Sequence, residues 1–391
     1  MIKLLLIISS YEIGGVSSVA KNLLDSLDRS KFRIVFLAEK IQEKHFPIPE
    51  DVTAIDLKIN PRCSVFGKIS NMVCHIRNLR VEVATQKPDI VFSLSYSTSC
   101  YLLFKPIKCL RQKIIIGEYS EGLFVRPIKR TFRNFMSRLI YKILIFFTYG
   151  RAQGVVVVSR SIGRHLEKLF NLDKNKIRVI PTAVNIAKIK RYCQEPVSDY
   201  TFKKDCLYIS LLSRLSPEKG IDFLLQAFAR LRKKLPSKLI IIGEGSSRPA
   251  LEVAAESLNI TQDVVFLGYK DNPFKYLKNT DMFILPSIYE GFPNVILEAY
   301  ACEVPVVATR CVEGIEELIR DGRDGLLVNK ADVDSLYNAM YNLASNKDLR
   351  ERLKGAGLKK VRGFDAVLKV KEYEDLFLEI VKLNQAKEEK R

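Results

Sequence analysis

Long apolar runs are missing from this sequence of 391 residues. None reaches the ~18 residues that a membrane-spanning helix needs, and the longest candidate, 143–148, is far shorter. The opening segment 1–8 is too short for the core of a signal peptide, and two glycines follow it instead of a small-residue cleavage site. We therefore expect a buried first strand and a chain that stays in the cytoplasm, on the cytosolic side of the membrane.

Metal-ligand spacings are also missing. The eight cysteines form no Cys-x-x-Cys pair, and only one of the three histidines, His75, has a cysteine next to it. A chain of this length needs no disulfides to hold a core. We expect free thiols, no structural zinc and no metal or other cofactor.

Positive charge is concentrated in one half of the chain. Residues 1–190 hold 32 Lys and Arg against 14 Asp and Glu, whereas residues 191–391 hold 31 against 30. An excess of +18 in one half indicates an anionic partner for that half. Helix-turn-helix, zinc-finger and aromatic ribonucleoprotein motifs are missing, so nucleic acid is not the expected partner.

The most basic segment, 126–142, contains no acidic residue. Its apolar residues recur at helical spacing, and the apolar run 143–147 follows it. A basic amphipathic helix beside an apolar flank is typical of a membrane-surface element; the alternative is a helix packed on its domain with a solvated basic face. The cations expected to meet anionic lipid are Arg126, Lys129, Arg130, Arg133, Arg138 and Lys142.

Short apolar runs rich in β-formers alternate with helical patterns along the whole chain, which predicts an α/β fold of parallel sheets covered on both faces. The pattern breaks at 186–205, a charged stretch without a strand pattern, which we interpret as a linker. The predicted domains are 1–190 and 205–365, each a Rossmann-like doubly wound parallel sheet, and a C-terminal helix, 366–391, that crosses back to the first domain. Ligands of such sheets bind at the carboxyl ends of strands, so the predicted site is the cleft across which the two domains face each other.

Three segments have the composition of a phosphate or sugar site. Gly14 and Gly15 lie between the first strand and the first helix, where backbone can approach a phosphate closely; a purely structural turn is as good an interpretation. Arg214 and Lys219 lie in a strand-to-helix turn and provide a guanidinium fork and a point charge for a diphosphate. Two solvent-exposed cations on a loop are the alternative.

The third segment follows a predicted buried strand at 282–285. Glu290 ends the loop, Pro293 suits the first turn of a helix, and Glu298 lies a turn further on. Free backbone amides of about 292–295 would be available to an anion. Two carboxylates flanking free amides suit a sugar linked to a diphosphate and a ribose, although two glutamates on a surface loop and helix would give the same spacing.

The string Ser-x-Tyr-Glu-Gly-Phe-Pro-Asn-Val-x-Leu-Glu-Ala at 287–299 resembles the signature of family 4 glycosyltransferases of the GT-B fold. Ser-Arg-Leu-Ser-Pro-Glu-Lys-Gly at 213–220 and Pro-Val-Val-Ala at 305–308 stand in that family's order and spacing. The resemblance covers nearly all of the second domain. In the first domain it rests on the glycine pair, Val-Val-Ser at 157–159 and the turn at Pro181.

The resemblance implies a retaining, metal-independent transferase that moves a sugar from a nucleotide-sugar donor, by family habit a UDP-sugar, to a hydroxyl. Arg214 and Lys219 would hold the diphosphate, Glu298 the ribose hydroxyls, and Glu290 the hydroxyls of the transferred sugar. Gly14 and Gly15 would approach the donor phosphate. The donor-binding segment would be Gly291, Phe292, Pro293, Asn294 and Val295, whose backbone amides, apart from that of Pro293, which has no N–H, would donate to sugar and phosphate.

Three departures from the family pattern are visible. Where many relatives have a histidine after the strand at 114–116, this chain has Glu118, which would take that histidine's catalytic place. The turn at 181–185 has Pro-Thr-Ala-Val-Asn instead of Pro-Asn-Gly-Val-Asp, and Glu303 replaces a glycine before the Pro-Val strand.

Together these features predict a transferase that is peripheral on the cytosolic face of the membrane and acts on a lipid-linked saccharide acceptor in surface polysaccharide biosynthesis. Three alternatives stay open at this point: a glycosyltransferase with a soluble acceptor, a sugar-nucleotide epimerase of the same fold, and a non-catalytic sugar-binding or scaffold subunit.

Overall fold

The computed structural model describes residues 1–11, 14–41, 47–57, 65–95, 98–99, 102–103, 113–119, 143 and 145–389, with backbone alone for 65–75 and 387–388. The basic segment 126–142 and its six predicted membrane-surface cations lie outside the described residues. The chain divides into two compact units, Met1–Ala183 together with Ala366–Arg391, and Val184–Asp365. The stretch 186–205, which we interpreted as a linker, is part of the second unit and begins with a helix.

All described strands of the first unit form one parallel sheet in the order β3-β2-β1-β4-β5-β6-β7. Buried aliphatic side chains fill most of its central strands, as expected for a sheet covered on both faces. The strands are β1 (Ile2–Tyr11), β2 (Phe32–Ile41), β3 (Thr53–Asp56), β4 (Ile90–Ser93), β5 (Ile114–Glu118), β6 (Gly154–Val157) and β7 (Ile177–Val179).

The second unit has its own parallel sheet, in the order β10-β9-β8-β11-β12-β13. In both sheets the strand order reverses direction at one point, between β1 and β4 in the first and between β8 and β11 in the second. The strands are β8 (Leu207–Leu212), β9 (Ser237–Ile242), β10 (Val264–Gly268), β11 (Met282–Leu285), β12 (Val306–Thr309) and β13 (Leu326–Val328).

Helices connect the strands and cover the sheets. They are α1 (Gly15–Ser26), α2 (Val65–Gln86), α3 (Arg160–Phe170), α4 (Ile186–Cys193), α5 (Ile221–Arg232), α6 (Arg248–Ser257), α7 (Phe274–Leu277), α8 (Asn294–Ala301), α9 (Ile315–Leu318), α10 (Val333–Ser345), α11 (Lys347–Val361) and α12 (Ala366–Glu388). Short 3-10 turns lie at Lys174–Lys176, Pro217–Lys219, Thr261–Asp263 and Arg362–Phe364.

The predicted fold class is confirmed: two α/β units, each with a doubly wound parallel sheet. The buried strands predicted at 1–8, 114–116 and 282–285 are present as β1, β5 and β11, and the predicted C-terminal helix is present as α12, with ends that differ by a few residues; the helix predicted at 126–142 lies outside the described residues. The sequence pattern missed β3, a four-residue edge strand whose residues are exposed or half-buried. Such a strand has no continuous apolar run, so periodicity gives no signal for it.

The long C-terminal helix α12 packs into the core of the first unit. Phe377 is fully buried, and its ring lies 5.5 Å from the ring of Phe92 on β4 and 6.1 Å from that of Phe32 on β2. Glu374 accepts a hydrogen bond from the backbone amide of Asp28, at 2.7 Å. The last helix of the chain therefore completes the first sheet's cover rather than forming a free tail.

Among the helices within the described ranges, none combines the length and the apolar composition that crossing a bilayer requires.

The two apolar clusters of the second unit lie on opposite faces of its sheet, since alternate residues of β9 such as Ile240 and Ile241 belong to different clusters.

Candidate functional site

Two loops of the second unit meet at the point where its strand order reverses. The loop 213–220 follows β8 and the loop 286–293 follows β11, and these two strands are hydrogen-bonded neighbours. The carboxyl ends of adjacent parallel strands lie at the same edge of the sheet, where doubly wound folds bind their ligands. The sheet therefore brings the predicted cations and carboxylates of both loops together.

Backbone contacts fix the two loops against each other. The amide of Ile288 donates to the carbonyl of Glu218 at 2.9 Å. Gly220 has a φ of +60°, and a Cβ at that position would lie 2.3 Å from the carbonyl oxygen of Pro286. Only glycine satisfies both the left-handed backbone and the close approach, so the last glycine of the 213–220 string is a packing requirement of the site.

Lys219 and Glu290 form an ion pair across the two loops. The Lys219 Nζ lies 2.7 Å from Glu290 Oε1, and the side chains are only 17% and 11% exposed. The buried hydroxyl of Ser287 donates to the same carboxylate oxygen, also at 2.7 Å. A carboxylate held by two donors in a half-buried place keeps one orientation, as recognition of a defined ligand requires.

Arg214 is the exposed cation of the site. Its side chain is 70% exposed and donates to Glu218 Oε1 at 3.1 Å. Ser216 donates to the same oxygen at 2.8 Å. Burial raises the pKa of Glu218, but the hydrogen bonds from its own amide, Ser216 and Arg214 outweigh burial and leave the pKa lowered. Glu218 therefore orients Arg214 while most of the guanidinium stays accessible.

The amides predicted to be free lie at the beginning of α8. The helix begins at Asn294, and Pro293 is its N-cap residue. We expected Pro293 in the first turn, so the helix begins one residue later than expected. The Asn294 amide donates to the carbonyl of Phe292 at 3.0 Å. For the amides of Gly291, Phe292 and Val295, no acceptor lies within hydrogen-bond distance in the part of the chain that the structure describes.

Glu298 lies on α8, one turn into the helix. Burial raises the pKa of its carboxyl to about 7. Within the described residues its side chain has no hydrogen-bond partner. A half-buried carboxyl with unmet hydrogen-bonding capacity at neutral pH is suited to accept hydrogen bonds from a ligand's hydroxyl groups.

The first unit places its predicted residues at the corresponding reversal point of its own sheet. Gly14 is the N-cap of α1, with extended backbone (φ 171°), and Gly15 begins the helix. Among the described residues, none has an atom within 4 Å of where a Cβ of Gly14 would be. These residues therefore leave space beside the turn at the carboxyl end of β1.

Glu118 ends β5 and is 4% exposed. Its Oε2 accepts a hydrogen bond from the fully buried hydroxyl of Tyr149, at 2.7 Å. Tyr149 thus fixes a carboxylate whose catalytic role is a prediction from the family pattern.

Sequence reasoning missed the residues that position the predicted ones. Ser287 was part of the quoted string but had no role, and Thr309, at the end of β12, donates to the Ser287 carbonyl. Tyr149 carried no signal, because only tertiary structure brings it to Glu118. Within the described part of the chain no group of three or more His, Cys, Asp or Glu side chains is arranged to hold a metal ion, and metal independence stays a prediction.

Comparison with known proteins identifies the family. The family described as Glycosyltransferase Family 4 matches residues 13–188, and the family described as Glycosyl transferases group 1 matches residues 204–346. The chain thus belongs to the family 4 glycosyltransferases, and the protein is a glycosyltransferase of the GT-B fold.

Two curated relatives and one solved structure illustrate the similarity. A Campylobacter jejuni N-acetylgalactosamine-N,N'-diacetylbacillosaminyl-diphospho-undecaprenol 4-alpha-N-acetylgalactosaminyltransferase is 30% identical over 66% of this chain and 67% of its own. The Escherichia coli UDP-Gal:alpha-D-GlcNAc-diphosphoundecaprenol alpha-1,3-galactosyltransferase is 27% identical over 62% and 65%. Sucrose-phosphate synthase from Thermosynechococcus elongatus, 18% identical, superposes with a TM-score of 0.78 over 98% of this chain and all of that one.

Proposed function

We propose that this glycosyltransferase moves a sugar from a nucleoside diphosphate donor, a UDP-sugar, to a hydroxyl of a lipid-linked saccharide in surface polysaccharide biosynthesis. The transfer retains the configuration at the anomeric carbon and needs no metal. The observation that carries the proposal is the Lys219–Glu290 pair, with 2.7 Å between Nζ and Oε1.

This pair has the geometry that a sugar diphosphate requires. A single glycosidic C–O bond joins the sugar to the diphosphate, so the groups that recognise the two halves must lie within a few ångströms of each other. Lys219 supplies a cation for phosphate oxygens, and Glu290 supplies a carboxylate that accepts hydrogen bonds from sugar hydroxyls. Arg214, mostly exposed on the same loop, supplies a second cation.

Glu298 completes the donor site. Two ribose hydroxyls donate to a carboxylate best when it is ionised, and binding them would lower the carboxyl's raised pKa. The amides of Gly291, Phe292 and Val295 supply donors to sugar and phosphate oxygens at the beginning of α8.

In the transfer step the bond between the anomeric carbon and the diphosphate oxygen breaks, and a bond to the acceptor oxygen forms on the same face of the sugar. Negative charge grows on the leaving diphosphate, where Arg214 and Lys219 stabilise it. The leaving phosphate oxygen takes the acceptor proton. Glu118, which accepts a hydrogen bond from Tyr149, takes the catalytic role that the family's histidine position implies.

The relatives support the choice of substrates. Both named relatives carry a diphosphoundecaprenol-linked saccharide in their names, and one of them names UDP-Gal as its donor. A glycosyltransferase with a soluble acceptor is the alternative. That enzyme would work equally fast without lipid on the acceptor, which a comparison of lipid-linked and free saccharide acceptors decides.

Thermal unfolding with a panel of uridine, guanosine, adenosine and cytidine diphosphates tests the donor site. A ligand at a hundred times its Kd adds about 2.7 kcal/mol of stability. Uridine diphosphate should raise the melting temperature of the wild type and raise that of Glu298→Ala much less. Glu256→Ala, which removes an exposed carboxylate on helix α6 of the same unit, is the matched control and should respond like the wild type. A panel without any stabilising nucleotide would remove the main support for the proposal.

Membrane association follows from the same chemistry, because a lipid-linked acceptor lies at a bilayer surface. Three large apolar side chains are exposed immediately after the basic segment: Ile143, Phe146 and Phe147 are 46%, 56% and 48% exposed. Exposed aromatic residues next to a cationic stretch are suited to the interface of an anionic leaflet.

Binding to vesicles tests the membrane part on its own. At physiological salt the protein should bind vesicles with anionic lipid more strongly than neutral ones. The double variant Arg130→Ser/Arg133→Ser should weaken this binding, whereas Lys233→Ser/Lys234→Ser, which removes two exposed lysines of the second unit, should not. Equal, weak binding to both vesicle types would refute the membrane contact and leave the donor site untouched.

A further inference from the structure

Two cysteines far apart in the sequence meet in the core of the second unit. Cys193 is the last residue of α4, and Cys302 directly follows α8. Their sulfur atoms lie 3.6 Å apart across 109 residues of sequence, and the thiols hydrogen-bond to each other. Sequence patterns do not reveal this pair, because the two cysteines lie 109 residues apart in the chain.

The two thiols differ in their surroundings. Cys302 is 1% exposed, whereas Cys193 is half-buried. The hydrogen bond with Cys302 and the nearby Lys278 lower the pKa of Cys193 against the effects of its burial and of Glu303. The hydrogen bond with Cys193 and burial raise the pKa of Cys302. A half-buried thiol with a lowered pKa beside a more deeply buried second thiol is the arrangement of an attacking and a resolving cysteine.

We propose that Cys193 and Cys302 are a modification site, a dithiol that hydrogen peroxide converts into an intramolecular disulfide. The Cys193 thiolate attacks one peroxide oxygen, which breaks the O–O bond and gives a sulfenic acid and, after protonation, water. The Cys302 sulfur then attacks the sulfenic sulfur, the S–S bond forms, and the displaced hydroxide leaves as water with the Cys302 proton. Two thiols lose two electrons in total, and one peroxide becomes two waters.

The geometry favours this outcome over stable sulfenic acid at Cys193. A disulfide needs its sulfurs about 2.05 Å apart, so the two sulfur atoms, now 3.6 Å apart, must approach by roughly 1.5 Å. The link joins the end of α4 to the end of α8. Cys302 is already fixed there, since its amide donates to the carbonyl of Glu298 at 3.0 Å.

Peptide mapping of the full-length protein tests the proposal. The protein is treated with hydrogen peroxide, its remaining thiols are alkylated before denaturation, and the digest is analysed by mass spectrometry. A peptide pair linked through Cys193 and Cys302 should appear, two hydrogen masses below the sum of the reduced peptides, and dithiothreitol should abolish it. Wild type oxidised in this way should also melt higher, by roughly 5–10 °C, because the link closes a loop of about a hundred residues.

Matched variants exclude the other thiols. Cys206→Ser removes another half-buried thiol of the same unit and should leave the linked peptide unchanged. Cys193→Ser should abolish the linked peptide, leave the Cys302 thiol reduced and keep the wild-type melting temperature under reducing conditions, which shows that its fold is intact. A Cys193 that accumulates as sulfinic acid while Cys302 stays reduced would overturn the proposal, and so would a disulfide from Cys193 to any other cysteine.

Discussion

The two units of this protein have similar parallel sheets with a reversal point in each, yet the loops at these points use different chemistry. At the end of β4 in the first unit, hydroxyl groups bond to each other and to backbone: Ser95 accepts from the Ser9 amide at 2.8 Å, and Ser93 lies 2.7 Å from Thr98. At the end of β11 in the second unit, a carboxylate, an ammonium group and a hydroxyl form the Glu290 cluster.

The excess of positive charge lies in the first unit, not in the unit that contains the Glu290 cluster. The first unit holds 36 Lys and Arg against 20 Asp and Glu, and the second holds 27 against 24. The unit with the ion-paired site is thus close to neutral. A small anionic donor needs two or three cations held in place by carboxylates, whereas an excess over a whole unit suits an extended anionic surface. Net charge alone would point to the first unit, whereas the proposed donor site lies in the second.

Among the variants that test this difference between the two units, the one with the largest expected effect changes the Glu290 cluster and lowers catalysis. Glu290→Gln keeps the shape of the side chain and an acceptor for Ser287, but removes the charge that faces Lys219. We expect kcat to fall roughly 10²- to 10³-fold, as for loss of a group that stabilises transition-state charge. Steady-state kinetics with the lipid-linked acceptor measure it, with Glu256→Gln as the control. An unchanged kcat would mean that the cluster is not where the reaction takes place.

A measurement of stability against pH tests whether the Glu298 carboxyl of the second unit is buried at a cost in free energy of unfolding. Burial raises the pKa of Glu298 from an ordinary 4.5 to about 7. The Glu298 carboxyl loses its proton at lower pH in the unfolded chain than in the folded one. The free energy of unfolding therefore decreases as pH rises from about 4.5 to 7. Above pH 7 the cost is about 3 kcal/mol.

Glu298→Gln should therefore be more stable than wild type by about 3 kcal/mol at pH 8, with a gap that shrinks toward pH 4.5. Urea unfolding of the second unit across this range measures the gap. In Glu256→Gln, whose carboxylate is exposed, no such pH-dependent gap should appear. A gap of the same size at pH 5 and pH 8 would contradict the buried-carboxyl explanation.

The third prediction concerns the first unit. Tyr149→Phe removes the hydroxyl that donates to Glu118, and a buried hydrogen bond to a charged group contributes about 1.5–3 kcal/mol. The first unit should lose about 2 kcal/mol of stability, seen by urea unfolding, while the Kd for the nucleotide stays unchanged. Loss of nucleotide affinity would instead assign the donor to both units and weaken the comparison.

The smallest expected effect concerns one of the departures from the family pattern. Glu303 has a φ of +62°, a conformation that favours glycine, and its carboxylate pairs with the half-exposed Lys278 at 3.1 Å. Relief of the left-handed backbone is worth about 1 kcal/mol and a surface pair less. Glu303→Gly should thus melt slightly higher than wild type, and Glu303→Ala, which loses the pair and keeps the strain, should melt lower. A Glu303→Gly variant that melts lower than the wild type would show that the ion pair contributes more than the relief of backbone strain.

Much of the fold could be predicted because its signals are local. A continuous apolar run such as 282–285 identifies a buried parallel strand, and the string that follows it predicted the loop, the beginning of α8 and both glutamates. The family's histidine position likewise led to Glu118. β3 escaped because an exposed edge strand lacks the apolar run on which that reasoning depends.

The sequence by itself therefore determined the class of fold, the strands at the reversal points and the residue types of the candidate site. Only the tertiary structure decided that Lys219 pairs with Glu290 across 71 residues, that Tyr149 reaches Glu118, that Cys193 meets Cys302, and that Glu298 is desolvated. Periodicity and turn chemistry act over a few residues and can be read along the chain. Pairing distances and burial depend on which strands become neighbours, and that is settled only when the whole sheet packs.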